Sequence, residues 1–278
     1  MKVLILGAKG LLGSELARQL DGQELYAFDF SDLDITQPDP VNLAFEKIRP
    51  EVVFNCAAYN DVDRAEDQPD LAYKLNVEAV RNLADNCTKF GAVLIQYSTG
   101  FVFEGSSTIG YKEDDQPNPQ SVYAKSKYQG ELEAAKTPKH YIIRLNLLFG
   151  RSGAAGAKKS FPEIILGLAK EKKEFNFVID EISTPTYARD LAEASIRLFL
   201  DHRPYGIYHL ANSGSASWFD YAEEVLKIKN IDDVIIHKVA AAEFVRRGQR
   251  PHNSVIINTK LPAQRDWRPA LREFLNNQ

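Results

Sequence analysis

Tyr123 and Lys127 stand four residues apart in the run SVYAKSK, a spacing that puts both on one face of a helix. A phenol titrates near ~10, and an adjacent ammonium favours its anion. The pair is therefore suited to exchanging a proton with a carbonyl oxygen. Such a pair also arises by chance on a surface helix, so position has to carry the argument. Ser98, Thr99 and Gly100 follow an apolar run at 92–97 that reads as a strand. A hydroxyl at the carboxyl end of a strand can hold a substrate oxygen, although Thr there is otherwise a turn residue.

The element that must bring a reactant to these groups is the first stretch, KVLILGAKGLLGSELARQL. Five residues, 2–6, suit a buried strand, and Gly7, Gly10 and Gly13 follow before a helical pattern begins. Gly7 permits the sharp turn, Gly10 lets backbone approach a pyrophosphate, and Gly13 lets the helix sit close on the sheet. The N–H groups of Leu11 and Leu12 would face the anion at the helix start. Three glycines alone could be a plain turn; between a strand and a helix they read as a dinucleotide loop.

A second strand, 24–28, ends at Asp29, which lies 22 residues after Gly7. That is close to the ~20-residue interval at which a carboxylate reaches an adenosine ribose. No Lys or Arg occurs between Arg18 and Lys47, which tilts the cofactor slightly toward NAD(H). NADP(H) stays possible, with Lys9 the residue that could reverse the preference. A third strand, 51–54, runs into Asn55, Cys56, Ala57, Ala58 and Tyr59, where small residues leave room for a flat cofactor or for a packed helix. Leu71, Leu75, Ala79, Leu83 and Cys87 recur at helical spacing, widened by Val80 and Ala84, and predict one long amphipathic helix packed on the sheet and ended by Gly91.

Strands at 141–145 and 206–210 and a helix over 187–200 continue the alternation. The expected fold is α/β, a doubly wound parallel sheet of Rossmann type, with a smaller C-terminal substrate lobe. Residues 1–150 and 181–211 would form the dinucleotide-binding domain; 151–180 and 212–278 would form the substrate-binding lobe. The run 151–159 reads as a mobile loop or boundary, and disorder is expected only at 276–278.

The 278 residues carry a formal net charge of −4, 44% hydrophobic and 26% charged residues, and no long basic run. Nucleic acid is therefore not an expected partner. Cys56, Cys87 and the five histidines lack metal-ligand spacing, so no metal is expected. No stretch approaches the ~20 apolar residues of a membrane span. Met1 leads straight into the first strand, so the expected location is the cytoplasm, with both thiols reduced.

The glycine loop, Thr99 and the Tyr123/Lys127 pair together resemble the extended short-chain dehydrogenase/reductases. The stretches NCAAY (55–59), YSTGFVFEG (97–105), 117–127, Thr184-Pro185-Thr186 and 250–254 resemble, more narrowly, the dTDP-4-dehydrorhamnose reductase family, essentially end to end. The resemblance implies that Tyr123 protonates the 4-keto oxygen of a nucleotide-linked 6-deoxysugar as hydride arrives. It implies that Lys127 binds the nicotinamide ribose and lowers the tyrosine pKa, and that Thr99 bonds the reacting oxygen. Gly7, Gly10, Leu11, Leu12 and Gly13 would cradle the pyrophosphate. Asp34 and Ile35 would flank the adenine, and Cys56, Ala57, Ala58 and Tyr59 would line the cofactor. Arg250 would lie toward the sugar nucleotide.

Three positions depart from that family. Gly100 and Phe101 stand where its members usually carry Asp and Tyr, and Leu147 stands where they carry a Trp that contacts the sugar nucleotide. The proton-transfer and cofactor positions are kept while the substrate positions change, so the sugar can differ. Two other readings remain open. One is a dinucleotide-binding regulatory subunit similar to that of methionine adenosyltransferase; the other is a sugar-nucleotide epimerase or dehydratase of the same superfamily. The sequence admits a homodimer without requiring one.

Overall fold

Alternate residues of the first strand go to opposite faces: Val3 and Ile5 enter one core cluster, Leu4 and Leu6 the other. Burial on both faces is what a central parallel strand requires, and each such side chain contributes about 1.5–3 kcal/mol. The structure is a computed structural model that describes residues 1–153 and 159–277.

Six parallel strands form the main sheet. They are β1 (Lys2–Leu6), β2 (Glu24–Phe28), β3 (Val52–Asn55), β4 (Val93–Thr99), β5 (His140–Leu145) and a last strand, Gly206–His209. Their spatial order is β2, β1, β3, β4, β5 and then Gly206–His209, so the chain reverses its direction of winding at β1 and β3. Helices Leu11–Gln19 and Ala188–Leu200 cover one face through Leu12, Leu16, Leu191 and Leu198. Helices Pro38–Ile48, Ala79–Phe90 and Val122–Ala134 cover the other through Phe45, Leu83 and Ala134. The doubly wound sheet expected from the sequence is present, with β4 two residues longer at its carboxyl end and Thr99 as its last residue.

The long helix predicted from residue 71 onward is broken in register. Pro69–Tyr73 is α-helical, Lys74–Glu78 is a π-turn, and Ala79–Phe90 is α-helical again. The extra residue in a π-turn rotates what precedes it. Leu71 therefore leaves the stripe and is 47% exposed, while Ala79, Val80, Leu83, Ala84 and Cys87 stay in the core. Gly91 ends the helix at φ +74°, as expected of a left-handed cap.

A third cluster gathers Phe149, Ile165, Tyr187, Tyr221, Trp267, Leu271 and Phe274. The final helix, Trp267–Asn276, contributes five residues of its apolar face, Trp267 among them, to this buried core. Asn276 is thus helical rather than disordered, and Gln278 lies outside the described residues. The expected loop at 151–159 falls outside them for residues 154–158. Among the described residues, no helix is long and apolar enough to cross a membrane.

Candidate active site

The helix Val122–Ala134 starts at Ser121, whose hydroxyl accepts the N–H of Ala124 at 3.2 Å. It is buried on nearly every side although half its residues are polar, so each polar group needs a partner. Ser126 donates to the carbonyl of Tyr123 at 2.8 Å and accepts from Asn76 at 2.9 Å. Asn76 sits in the π-turn and also exchanges two hydrogen bonds with the backbone of Tyr59, at 2.9 and 3.0 Å. One amide therefore joins the segment after β3 to the helix that carries Tyr123.

Tyr123 and Lys127 are both buried on this helix; the Thr99 hydroxyl, which accepts the N–H of Phe101 at 3.2 Å, stands beside the phenol. Phe101 packs its ring edge-on to Tyr123, with centroids 6.1 Å apart. Lys127 donates to the carbonyl of Tyr97 at 2.7 Å. Burial pushes the phenol up to about 12, and the Thr99 hydroxyl opposes it in part. Burial also draws the Lys127 ammonium down to about 8, against the attraction of Glu131. Burial is the largest influence on the phenol.

The glycine turn fits a dinucleotide. Gly7 has φ +73°, and a Cβ on it would lie 2.8 Å from the N of Ala57. A Cβ on Gly13 would lie 2.2 Å from the carbonyl oxygen of Gly7, so the helix packs directly on the turn. Gly10 caps the helix without a side chain, which leaves the first N–H groups, those of Leu11 and Leu12, for an anion. Cys56, Ala57, Ala58 and Tyr59 follow β3, the neighbour of β1, and are half-buried.

Asp29 directly follows β2, and its carboxylate accepts the N–H of Phe30 at 2.9 Å. The ammonium of Lys9 lies 3.4 Å from the hydroxyl of Ser31 nearby. Asp34 accepts from the N–H and hydroxyl of Thr36, at 2.9 and 2.8 Å. Burial pushes its carboxyl up, but these bonds hold it below the ordinary value. Ile35 is a core residue, so what it offers a cofactor comes through its backbone.

The three changed positions sit at the strand ends. A Cβ on Gly100 would lie 2.5 Å from the amide nitrogen of Asn146 and 2.8 Å from the carbonyl oxygen of Ser254. Asn146 accepts the N–H of Gly100 at 3.0 Å and donates to Ser254 at 2.6 Å. Its amide thus fills the space a side chain at position 100 would need. Leu147 is half-buried at φ +36°. Arg250 forms a two-pronged pair with Asp63, at 2.7 and 3.1 Å, and holds that carboxyl well below the usual range. The guanidinium expected to lie toward a sugar nucleotide is thus pinned to the helix Val62–Asp67.

Sequence reasoning missed Asn76, Asn146, Asp63 and a buried pair, Glu131 with Arg144. Two signals were available. Arg144 interrupts the apolar strand YIIRL, and Glu131 follows Lys127 by one helical turn.

The chain matches the family described as "RmlD substrate binding domain" over residues 1–278. It is 37% identical to the Bacillus subtilis spore coat polysaccharide biosynthesis protein SpsK, covering 100% of this chain and 98% of that one. A Clostridium acetobutylicum dTDP-4-dehydrorhamnose reductase structure superposes with a TM-score of 0.94 at 38% identity, covering 100% of this chain and 99% of that one. A Bacillus anthracis dTDP-4-dehydrorhamnose reductase, described in complex with NADP, gives 0.94 at 34% identity with both chains fully covered. With its six-stranded parallel sheet and the site at the strand ends, this chain belongs to the RmlD substrate-binding-domain family.

Proposed function

We propose that the protein is a reductase, dependent on a nicotinamide dinucleotide, of a nucleotide-linked 4-keto-6-deoxysugar. The observation that carries the reading is the gathering of buried Thr99, the last residue of β4, with buried Tyr123 and Lys127, one turn apart on the Val122–Ala134 helix, Lys127 being bonded to the β4 carbonyl of Tyr97. A reduced nicotinamide, when bound, would supply the hydride for the carbonyl carbon. Tyr123, kept protonated by its burial, gives its proton to the carbonyl oxygen, and Thr99 stabilises the phenolate that forms. Lys127 supplies the cation for the nicotinamide ribose, and the Gly7–Gly10–Gly13 turn supplies the N–H groups for the pyrophosphate. A purely regulatory dinucleotide-binding protein has no need of this set.

Two finer points belong to the same reading. Lys9 beside Ser31 offers a charge and a hydroxyl for a 2′-phosphate, which moves the balance from NADH toward NADPH; Asp29 offers a carboxylate for the free ribose 2′-hydroxyl of NADH. The proposed dinucleotide half is 1–150 with 181–211 and the substrate half 151–180 with 212–278; the third core cluster draws most of its residues from the second, while Phe149 and Tyr187 join it from the first.

The test is oxidation of NADPH and NADH with a panel of 4-keto-6-deoxysugar nucleotides. Turnover that vanishes in Tyr123→Phe supports the reading. Turnover that survives that change, or none by the wild type across the panel, overturns it. Lys9→Ala is expected to weaken NADPH use and leave NADH use unchanged.

A further inference from the structure

Directly behind Thr99 and Lys127 lies a buried ion pair that takes no part in the steps above. Glu131 and Arg144 have side chains 2% and 1% exposed. Glu131 accepts from the Ser98 hydroxyl at 2.5 Å, from Nε of Arg144 at 2.9 Å and from Nη2 of Arg144 at 2.7 Å. Arg144 also points Nη1 at the carbonyl of Glu113, at 3.4 Å, and at the ring of His209, at 3.5 Å. Its guanidinium lies over Phe103, 5.0 Å from the ring centre. Two ions taken out of water are costly, and an apolar pair of similar volume would hold the fold at least as well. The charges therefore call for a reason other than stability.

Their position supplies one. Ser98 directly precedes Thr99 on β4, and Glu131 follows Lys127 by one turn on the Val122–Ala134 helix. One carboxylate thus ties the strand that presents the Thr to the helix that presents the Tyr and Lys, and β5 holds that carboxylate through Arg144. We propose that Glu131 is a positioning residue of the reaction: anchored by Arg144 and Ser98, it holds the end of β4 that carries Thr99 against the helix that carries Tyr123 and Lys127. The proposal rests on the reductase reading.

The groups facing Lys127 are few. They are the Tyr97 carbonyl on β4, the Cys56 thiol after β3 and Glu131 on its own helix. Beyond the pair stand Glu113 and His209. Burial lowers the proton affinity of the ammonium, and Glu131 opposes it. Removing that carboxylate while Arg144 stays places an unpaired cation nearby, which adds to the discharge.

The experiment uses the full chain and follows kcat, KM and dinucleotide affinity across pH. Wild-type turnover should fall as pH rises through the titration of Lys127. In Glu131→Gln the alkaline limb should move to lower pH by about one unit, the size expected for losing an adjacent opposite charge. A double variant, Glu131→Gln with Arg144→Met, leaves no unpaired buried ion and guards against a chain that does not fold. It should move the limb the same way, by less.

A limb that stays in place with kcat lowered evenly at every pH means the pair is merely structural and overturns the proposal. A limb that moves to higher pH does the same, as does failure of both variants to fold. If the wild type turns over no sugar nucleotide, the reductase reading falls. The pH dependence of dinucleotide affinity still tests Glu131 in that case.

Discussion

Lys127 donates a 2.7 Å hydrogen bond to the backbone carbonyl of Tyr97, two residues before Thr99, and both partners are buried. The bond fixes the end of β4 against the helix that carries Tyr123. It also places the ammonium where burial lowers its proton affinity. The geometry sets Thr99 beside Tyr123 and makes Lys127 a neighbour of the backbone.

Because the phenol is raised by burial and eased by Thr99, removing that hydroxyl should slow proton donation without affecting dinucleotide binding. Thr99→Val is expected to lower kcat on the order of a hundredfold, the usual cost of losing one donor at a developing anion. Steady-state kinetics paired with cofactor titration checks it; a matching loss of cofactor affinity would speak against the assignment.

Gly130 is where the catalytic helix crosses the π-turn. A Cβ there would lie 2.2 Å from the carbonyl oxygen of Asn76, which is backbone and cannot swing aside. Gly130→Ala should destabilise the chain by about 3 kcal/mol through overpacking, read as a lower midpoint in urea. The same change at Gly167, which has nothing within 4 Å and lies mid-helix in Phe161–Glu171, should be neutral or mildly stabilising.

Asp63 accepts the two prongs of Arg250 and also the N–H groups of Arg247 and Gly248, each at 3.0 Å. Its folded-state carboxyl is depressed, first by the Arg250 bond. The stability it supplies is therefore complete above the ordinary Asp range and is lost as pH falls through the folded value. Asp63→Asn should cost about 1 kcal/mol at neutral pH, discounted for the partial exposure of the pair. It should also loosen 246–250, measurable as faster amide exchange there.

His209 is buried with Nδ1 at 3.2 Å from the carbonyl of Ile257, an oxygen that can only accept. Nδ1 must then carry the proton, and Nε2 faces Arg144 at 3.5 Å. Burial, reinforced by Arg144, lowers the imidazole to about 4. Since the unfolded chain binds this proton first, stability is complete above about 6.5 and falls as pH drops from there toward 4. The loss is on the order of 3 kcal/mol for a shift of that size. His209→Gln should flatten this part of the curve of melting temperature against pH; an unchanged slope would sink the assignment.

The local elements were legible in the sequence because their signals are local. The apolar runs at 2–6 and 92–97, the Gly7–Gly10–Gly13 turn and Gly91 at a helix end each depend on neighbours a few residues away. The four-residue spacing of Tyr123 and Lys127 is likewise a property of one helix. The π-turn at Lys74–Glu78 was not legible, since a shift of register there is held by Asn76 reaching Tyr59 and Ser126, residues 17 and 50 positions away. Burial of polar groups was equally hidden. Glu131 meets Arg144 across 13 positions, Glu113 meets Thr259 across 146, and Asp63 meets Arg250 across 187. No pattern of apolar spacing marks a polar helix as buried, because what buries it is the packing of β4, β5 and the π-turn around it. The sequence by itself determined which residues could do chemistry and on which elements they lie; the tertiary structure decided which charges lose their water and therefore which proton affinities move.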